Sequence, residues 1–288
     1  MSRPDRRRVA GRLAAAALGA LLLPAAAVLS GCGARGAGTP DPAGEAGGTV
    51  IVFAAASLTD AFQDIGALYE RDNPGSRVEF QFAGSSQLRV QLAQGAAADV
   101  FAAANAEQMD QARAAGLTGD PVQIFAQNRL VIIHPADNPA GVRSLGDLGR
   151  EGVRLVTAAP DVPIGAYTLE MLARADQDDA FGRGFKERVL ANVVSQEPNV
   201  RQVVAKVRLG EADAAVVYAS DVTPDVRPHL GAVTIPDAYN VTAAYPLAVL
   251  KDAPHPAAAR RFVEFVLGPE GQRMLEQWGF QPAAGDQP

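Results

Sequence analysis

Cysteine is almost absent. Cys32 is the only one in 288 residues, so no internal disulfide can form and a cysteine zinc cluster is excluded. Histidine is equally sparse: His134, His229 and His255 are scattered, and no two have the i, i+4 spacing of a helical metal pair. Positive charge is in deficit, with 26 Lys and Arg against 32 Asp and Glu, a net charge of −6 and a pI of about 5.2. That argues against a nucleic-acid partner, which requires a basic face. An acidic chain can still hold an anion if its pocket uses neutral donors. No Gly-x-Ser-x-Gly elbow occurs, and no internal repeat is evident. What is present is an alanine-rich apolar content of 48%, enough for a core in one large domain or two ordinary ones.

The N-terminus reads as a targeting segment, to be set apart from the fold. Arg6, Arg7, Arg8 and Arg12 form a positive region, and residues 13–29 an apolar one too short for a comfortable membrane span. Leu29-Ser-Gly-Cys32 follows and resembles the lipobox of bacterial lipoproteins. The resemblance implies cleavage before Cys32 and lipid modification of its thiol. Both secretory and twin-arginine export stay open, although Val9-Ala-Gly11 fits the latter poorly. Residues 33–48 are rich in Gly, Ala and Pro and read as a flexible tether.

The folded part is organised around Thr49-Val-Ile-Val-Phe-Ala-Ala-Ala-Ser-Leu-Thr-Asp60. Strand-forming residues 49–53 run through three alanines to Ser57. The pattern then turns helical, with Leu58, Phe62, Ile65 and Leu68 at three- and four-residue spacing. Ser57 is expected as an N-cap, with Asp60 as a short-armed relative of the capping box. The first N–H groups of such a helix have no internal partners and suit an anion. Strands and helices then alternate to the C-terminus, which predicts an α/β fold with mainly parallel sheets. Turns at the ends of predicted strands hold Ser57, Ser85-Ser86, Ile164-Gly165, Asn199-Val200 and Tyr218. In open α/β sheets ligands bind at that end. Helix N-termini converging there would create positive potential without a cation.

Six motifs occur in order: Val52-Phe-Ala-Ala-Ala-Ser-Leu58, Phe82-Ala-Gly-Ser-Ser-Gln-Leu88, Ala97-Ala-Asp-Val-Phe101, Val162-Pro-Ile-Gly-Ala-Tyr167, Asn199-Val-Arg201 and Val217-Tyr-Ala-Ser-Asp221. Together they resemble the periplasmic molybdate-binding proteins of ABC importers, from about Thr49 to Phe280. The resemblance implies two α/β lobes with the ligand in the cleft between them. Lobe 1 is expected over residues 49–127 and 236–288, and lobe 2 over 128–235. The chain would cross near residues 126–128 and 224–236. It implies hydroxyl and backbone donors at Ser57 and Ser85, backbone donors at Ile164 and Val200, and the Tyr218 phenol. The expected ligand is molybdate or tungstate, with no cofactor and no direct bond from protein to metal. The expected partners are an ABC permease and its ATPase, and the membrane through the Cys32 lipid. The protein is expected as a monomer at the outer face of the cytoplasmic membrane or in the periplasm.

Two positions depart from the family pattern. Ile164 stands where a small residue is more usual, and Gly84 where serine is common, which implies a looser loop. Asp161 must point outward or it would repel the ligand. Taken singly, each site residue has a plainer reading: Ser57 and Ser86 as N-caps, Tyr218 as a core tyrosine, Ile164 and Val200 as packing residues. Asp99 reads as structural, and Arg201 as part of a solvated or ion-paired face. A binder of another small anion, such as sulfate or phosphate, is the competing reading; phosphate would be favoured by Asp161 turned inward. A tethered hydrolase using Ser57 or Ser85 lacks a nearby histidine signal, so no enzymatic activity is expected.

Overall fold

The computed structural model describes residues 48–283. Cys32, the leader and all but the last residue of the tether lie outside the described residues. Among the described residues no helix is long and apolar enough to cross a membrane.

Strand β1 (Gly48–Ala55) lies at the centre of the first lobe. It pairs in parallel with β2 (Ser76–Ala83) along all 8 residues and with β3 (Val100–Ala102) on its other side. Val50, Val52 and Ala54 on one face have no exposed surface, and Phe53 and Ala55 on the other are also buried, as expected for a parallel strand covered on both faces. Each strand feeds a helix: α1 (Thr59–Asp72), α2 (Ser85–Ala93) and α3 (Ala106–Ala114). The buried face of α1 carries Phe62, Ile65 and Tyr69, as their spacing predicts. Phe62 packs tilted on Phe80 and Phe125.

Strand β4 (Gln123–Pro135) links the two lobes. Its first half, Gln123–Arg129, pairs antiparallel with β9 (Thr242–Val249). From Leu130 onward it pairs antiparallel with β7 (Ala215–Tyr218) and β8 (Leu230–Thr234). The strand begins earlier than the apolar run 129–134 predicts. Pairing with β9 buries Phe125 and Ala126 despite the flanking glutamines. The second lobe also contains β5 (Leu155–Ala158) parallel to β6 (Val193–Glu197), tied to β7 through a Leu155–Ala214 bridge. Helices α4 (Pro163–Ala175), α5 (Phe185–Ala191) and α6 (Val200–Arg208) cover these strands. On α6, Val200, Val203, Val204 and Val207 form one buried stripe. Helices α7 (Pro256–Leu267) and α8 (Pro269–Gln277) return to the first lobe.

Parallel pairing holds for β2–β1–β3 and β5–β6, whereas β4, β7, β8 and β9 pair antiparallel. The sheets are therefore mixed. The long strand β4 is the common partner, and β7, β8 and β9 all run opposite to it. Asp99 is structural, as expected. It is fully buried, and its carboxylate accepts from the backbone N–H groups of Ile51 and His255 at 2.8 and 2.6 Å.

Candidate functional site

The five strand-end turns meet around one small cavity between the lobes, lined by Ser57, Ser85, Ile164, Val200 and Tyr218 among others. Its volume is about 10 Å³, room for about one water-sized group among the converging donors. None of its lining residues is acidic or basic.

Local structure brings each residue there for a different reason. Ser57 follows β1 in a short 3-10 turn, Ala56–Leu58, and α1 starts only at Thr59. The expected N-cap is therefore absent: the Ser57 side chain makes no cap bond, and its hydroxyl lies 3.0 Å from that of Tyr245. The 3-10 turn shifts Ser57 off the helix axis and aims its oxygen at β9. Asp60 does not close a capping box either. Its carboxylate turns across the cleft to Arg201.

Ser85 and Ser86 open α2, whose N-cap position is Gly84 with no side-chain cap bond. The expected cap role of Ser86 is therefore not realised. The Ser85 hydroxyl accepts from the Ala104 N–H at 3.0 Å, which leaves its own proton free to donate. Ile164 lies in the first turn of α4, after Pro163 at the position where proline is tolerated. Its side chain is buried in the core, so the larger residue is absorbed by packing. Gly165 is needed beside it, because a Cβ there would lie 2.1 Å from the Ala159 carbonyl oxygen. Val200 opens α6, capped by Asn199, whose side chain accepts from the Gln202 N–H at 3.1 Å. The N-termini of α2, α4 and α6 thus face one cavity, each with first-turn N–H groups that no carbonyl of the same helix can satisfy.

Tyr218 ends β7 and is 1% exposed. Among the described residues its hydroxyl has no hydrogen-bond partner. Burial pushes its phenol well above the ordinary value, with Tyr245, Tyr167 and Asp221 adding to the effect. It therefore stays a donor at neutral pH. A buried, unpaired donor at the cavity wall suits an anion-binding site.

Contacts between the lobes close over the cavity. The Arg201 guanidinium pairs with Asp60 and donates to the Ala56 carbonyl at 3.2 Å. This is the ion-paired face expected for Arg201, and it holds the charge outside the cavity lining. The Gln108 amide donates to the Asp161 carbonyl at 3.1 Å. The Asp161 side chain is exposed, as expected. At Gly84 the Pro198 carbonyl comes so close that a Cβ would meet it at 2.3 Å. The absent side chain therefore does not loosen this loop; it admits the opposing lobe. Among the described residues neither Ser57 nor Ser85 is hydrogen-bonded to a histidine. His255 sits against Asp99 instead.

Asp221, three residues after Tyr218, is the buried titratable group of this region. Burial pushes its carboxyl up to about 7, opposed by Arg201 and by the Tyr218 N–H it accepts, and assisted by Asp60. One of its oxygens has no partner. The folded protein then keeps this proton between the ordinary pKa of 3.8 and about 7, where the unfolded chain has released it. Stability should fall as pH rises through that window and level off above it, by on the order of 4 kcal/mol at ~1.4 kcal/mol per pH unit. Asp221→Asn should flatten this slope. Urea midpoints measured from pH 4 to 8 for both proteins check it, and equal slopes would refute it.

Tyr245 lies outside the residues that the sequence nominates, and so does the choice of Asp60 as the partner of Arg201. Neither has a local signal: Tyr245 is one aromatic in a strand, 188 positions from Ser57.

With this geometry in hand, known proteins can be compared. Residues 50–281 match the family model of the bacterial extracellular solute-binding proteins. The molybdate-binding protein ModA of Mycobacterium tuberculosis H37Rv is 42% identical over 262 residues, which covers 90% of this chain and 95% of that protein. Among solved structures, the sulfate-binding protein SubI of the same organism superposes with a TM-score of 0.74 at 20% identity, covering 82% of this chain and 87% of that one. The periplasmic molybdate-binding protein of Azotobacter vinelandii does so with a TM-score of 0.69 at 17% identity, covering 80% and 98%. At these identities the two structures speak for the fold alone.

Proposed function

The chain belongs to the bacterial extracellular solute-binding proteins, and on that basis we propose that it captures molybdate or tungstate outside the cytoplasm and delivers it to the permease of an ABC importer driven by an ATPase. The observation that carries this reading is the neutral cavity, where three helix N-termini meet the unpartnered Tyr218 hydroxyl. Ser57 and Ser85 supply hydroxyl and backbone donors, Ile164 and Val200 backbone N–H groups, and Tyr218 its phenol. Hydrogen bonds to a charged group contribute roughly 1.5–3 kcal/mol each. Half a dozen outweigh the desolvation of a small dianion and leave micromolar or tighter binding, about −8 kcal/mol or better.

A phosphate site would need an acceptor for the phosphate proton. The exposed Asp161 supplies none to the cavity, which favours a fully deprotonated oxyanion. Molybdate and sulfate differ in size, so the cavity selects by whether all donors reach at once. The protein works by binding and release, not by bond cleavage. It is a monomer held to the membrane by a lipid on Cys32, with residues 33–48 as tether. Lobe 1 comprises residues 49–127 and 236–288, and lobe 2 residues 128–235. Titration calorimetry should give a molybdate dissociation constant at least about a hundredfold below that of sulfate, a difference of ~2.7 kcal/mol. Equal affinities would sink the assignment.

A further inference from the structure

Ser57 and Ser85 are held in parallel ways. Each serine oxygen has one neighbour outside the cavity: the Ala104 N–H at 3.0 Å for Ser85, and the Tyr245 hydroxyl at 3.0 Å for Ser57. The first contact is unambiguous, because an N–H can only donate. It occupies the Ser85 oxygen as an acceptor and leaves the serine proton for a ligand. The second contact joins two hydroxyls, either of which could donate.

We propose that Tyr245 is a positioning residue for the oxyanion site: its O–H donates to the Ser57 oxygen and thereby points the Ser57 proton into the cavity. This inference rests on the oxyanion reading of the site. Tyr245 is fully buried on β9, where it pairs with Ala126 of the lobe-linking strand β4. It does not line the cavity and touches no ligand position itself. Its ring also packs against Tyr218, with centroids 5.6 Å apart and planes at 67°. Phe280 stands edge-on behind it at 5.3 Å. One residue thus bonds the hydroxyl donor of the first lobe and braces the phenol donor of the second. If Ser57 instead donated to Tyr245, the serine would present only lone pairs to an anion and would repel it. The direction of this one hydrogen bond therefore decides whether the Ser57 hydroxyl helps binding.

Tyr245→Phe keeps the ring and its packing and removes only the donor. Molybdate titrations of the mature protein, of Tyr245→Phe, of Ser57→Ala and of the double variant test the proposal. Tyr245→Phe should weaken molybdate binding about tenfold in the native background and less than twofold in the Ser57→Ala background. A merely structural contribution of Tyr245 would weaken binding equally in both backgrounds, and that additivity would overturn the inference. Unchanged affinity in Tyr245→Phe would also overturn it. If Ser57→Ala alone binds molybdate as tightly as the native protein, the reading of the site itself fails. The coupling is read from folded protein in each titration, so a general loosening by either substitution cannot imitate it.

Discussion

Gly84→Ala is expected to weaken molybdate binding by about a hundredfold or more, close to 3 kcal/mol, while the ligand-free protein keeps its stability. The Gly84 backbone has φ −60° and ψ 138°, an extended conformation open to any residue. Alanine there carries no backbone strain, and although Gly84 is buried where the lobes meet, with the lobes apart the Pro198 contact is gone, so stability should change by about 0.5 kcal/mol or less. The obstacle arises only when the lobes close. The new Cβ would stand 2.3 Å from the Pro198 carbonyl oxygen, and both groups belong to backbone at the mouths of α2 and α6. Side-chain rotation cannot relieve that contact, so the lobes must stay apart.

Hydrogen bonds fail quickly with such separation, because useful N–H···O distances end near ~3.2 Å. Ser57 and Ser85 would then bind from one side while Ile164, Val200 and Tyr218 fell short on the other. Calorimetry gives the affinity, and small-angle scattering with and without molybdate reports closure. The native protein should contract on binding and Gly84→Ala should not. Native affinity in the variant would show that the gap at Gly84 is incidental. Serine at this position should behave like alanine, since its Cβ meets the same oxygen.

Tyr218→Phe should separate binding from stability in the opposite sense to most site substitutions. The phenol is buried with no protein partner, so the folded state bears its desolvation without compensation. Removing the oxygen relieves a cost of about 1–3 kcal/mol, and the ligand-free protein should become as stable as before or more so. Molybdate affinity should fall about tenfold to a hundredfold, as one bond to a charged group is lost. Urea unfolding without ligand and calorimetry with molybdate measure the two effects on the same preparation. A less stable variant with unchanged affinity would mean that Tyr218 is a packing residue whose hydroxyl is irrelevant to the ligand.

Much of the fold is legible in residue order because its elements are local. Helix α6 follows from valines at three- and four-residue spacing, and β1 from an apolar run ending in small residues. The proline starts of α7 and α8 are marked by residues that cannot sit deeper in a helix, whereas α4 begins at Pro163, three residues before the helix that the pattern predicts. The antiparallel return through β4 and β9 is not legible, since strand direction depends on partners more than a hundred positions away. Nor is the early start of β4, where pairing overrides two glutamines.

At the site the division is sharper. Residue order alone placed Ser57, Ser85, Ile164, Val200 and Tyr218 in strand-end turns, because a turn between strand and helix is written in a few adjacent residues. The chain's scarcity of histidine and cysteine and its net negative charge also pointed to neutral donors as the groups an anion site in it would use. Only the tertiary structure decided which way the Ser57 oxygen points, that Asp60 reaches Arg201 instead of its own helix, and that Gly84 is a clearance for Pro198. Each of those facts joins groups from distant parts of the chain. Hydrogen bonds and steric contacts act over a few ångströms, and sequence spacing cannot report which distant atoms folding brings within that range.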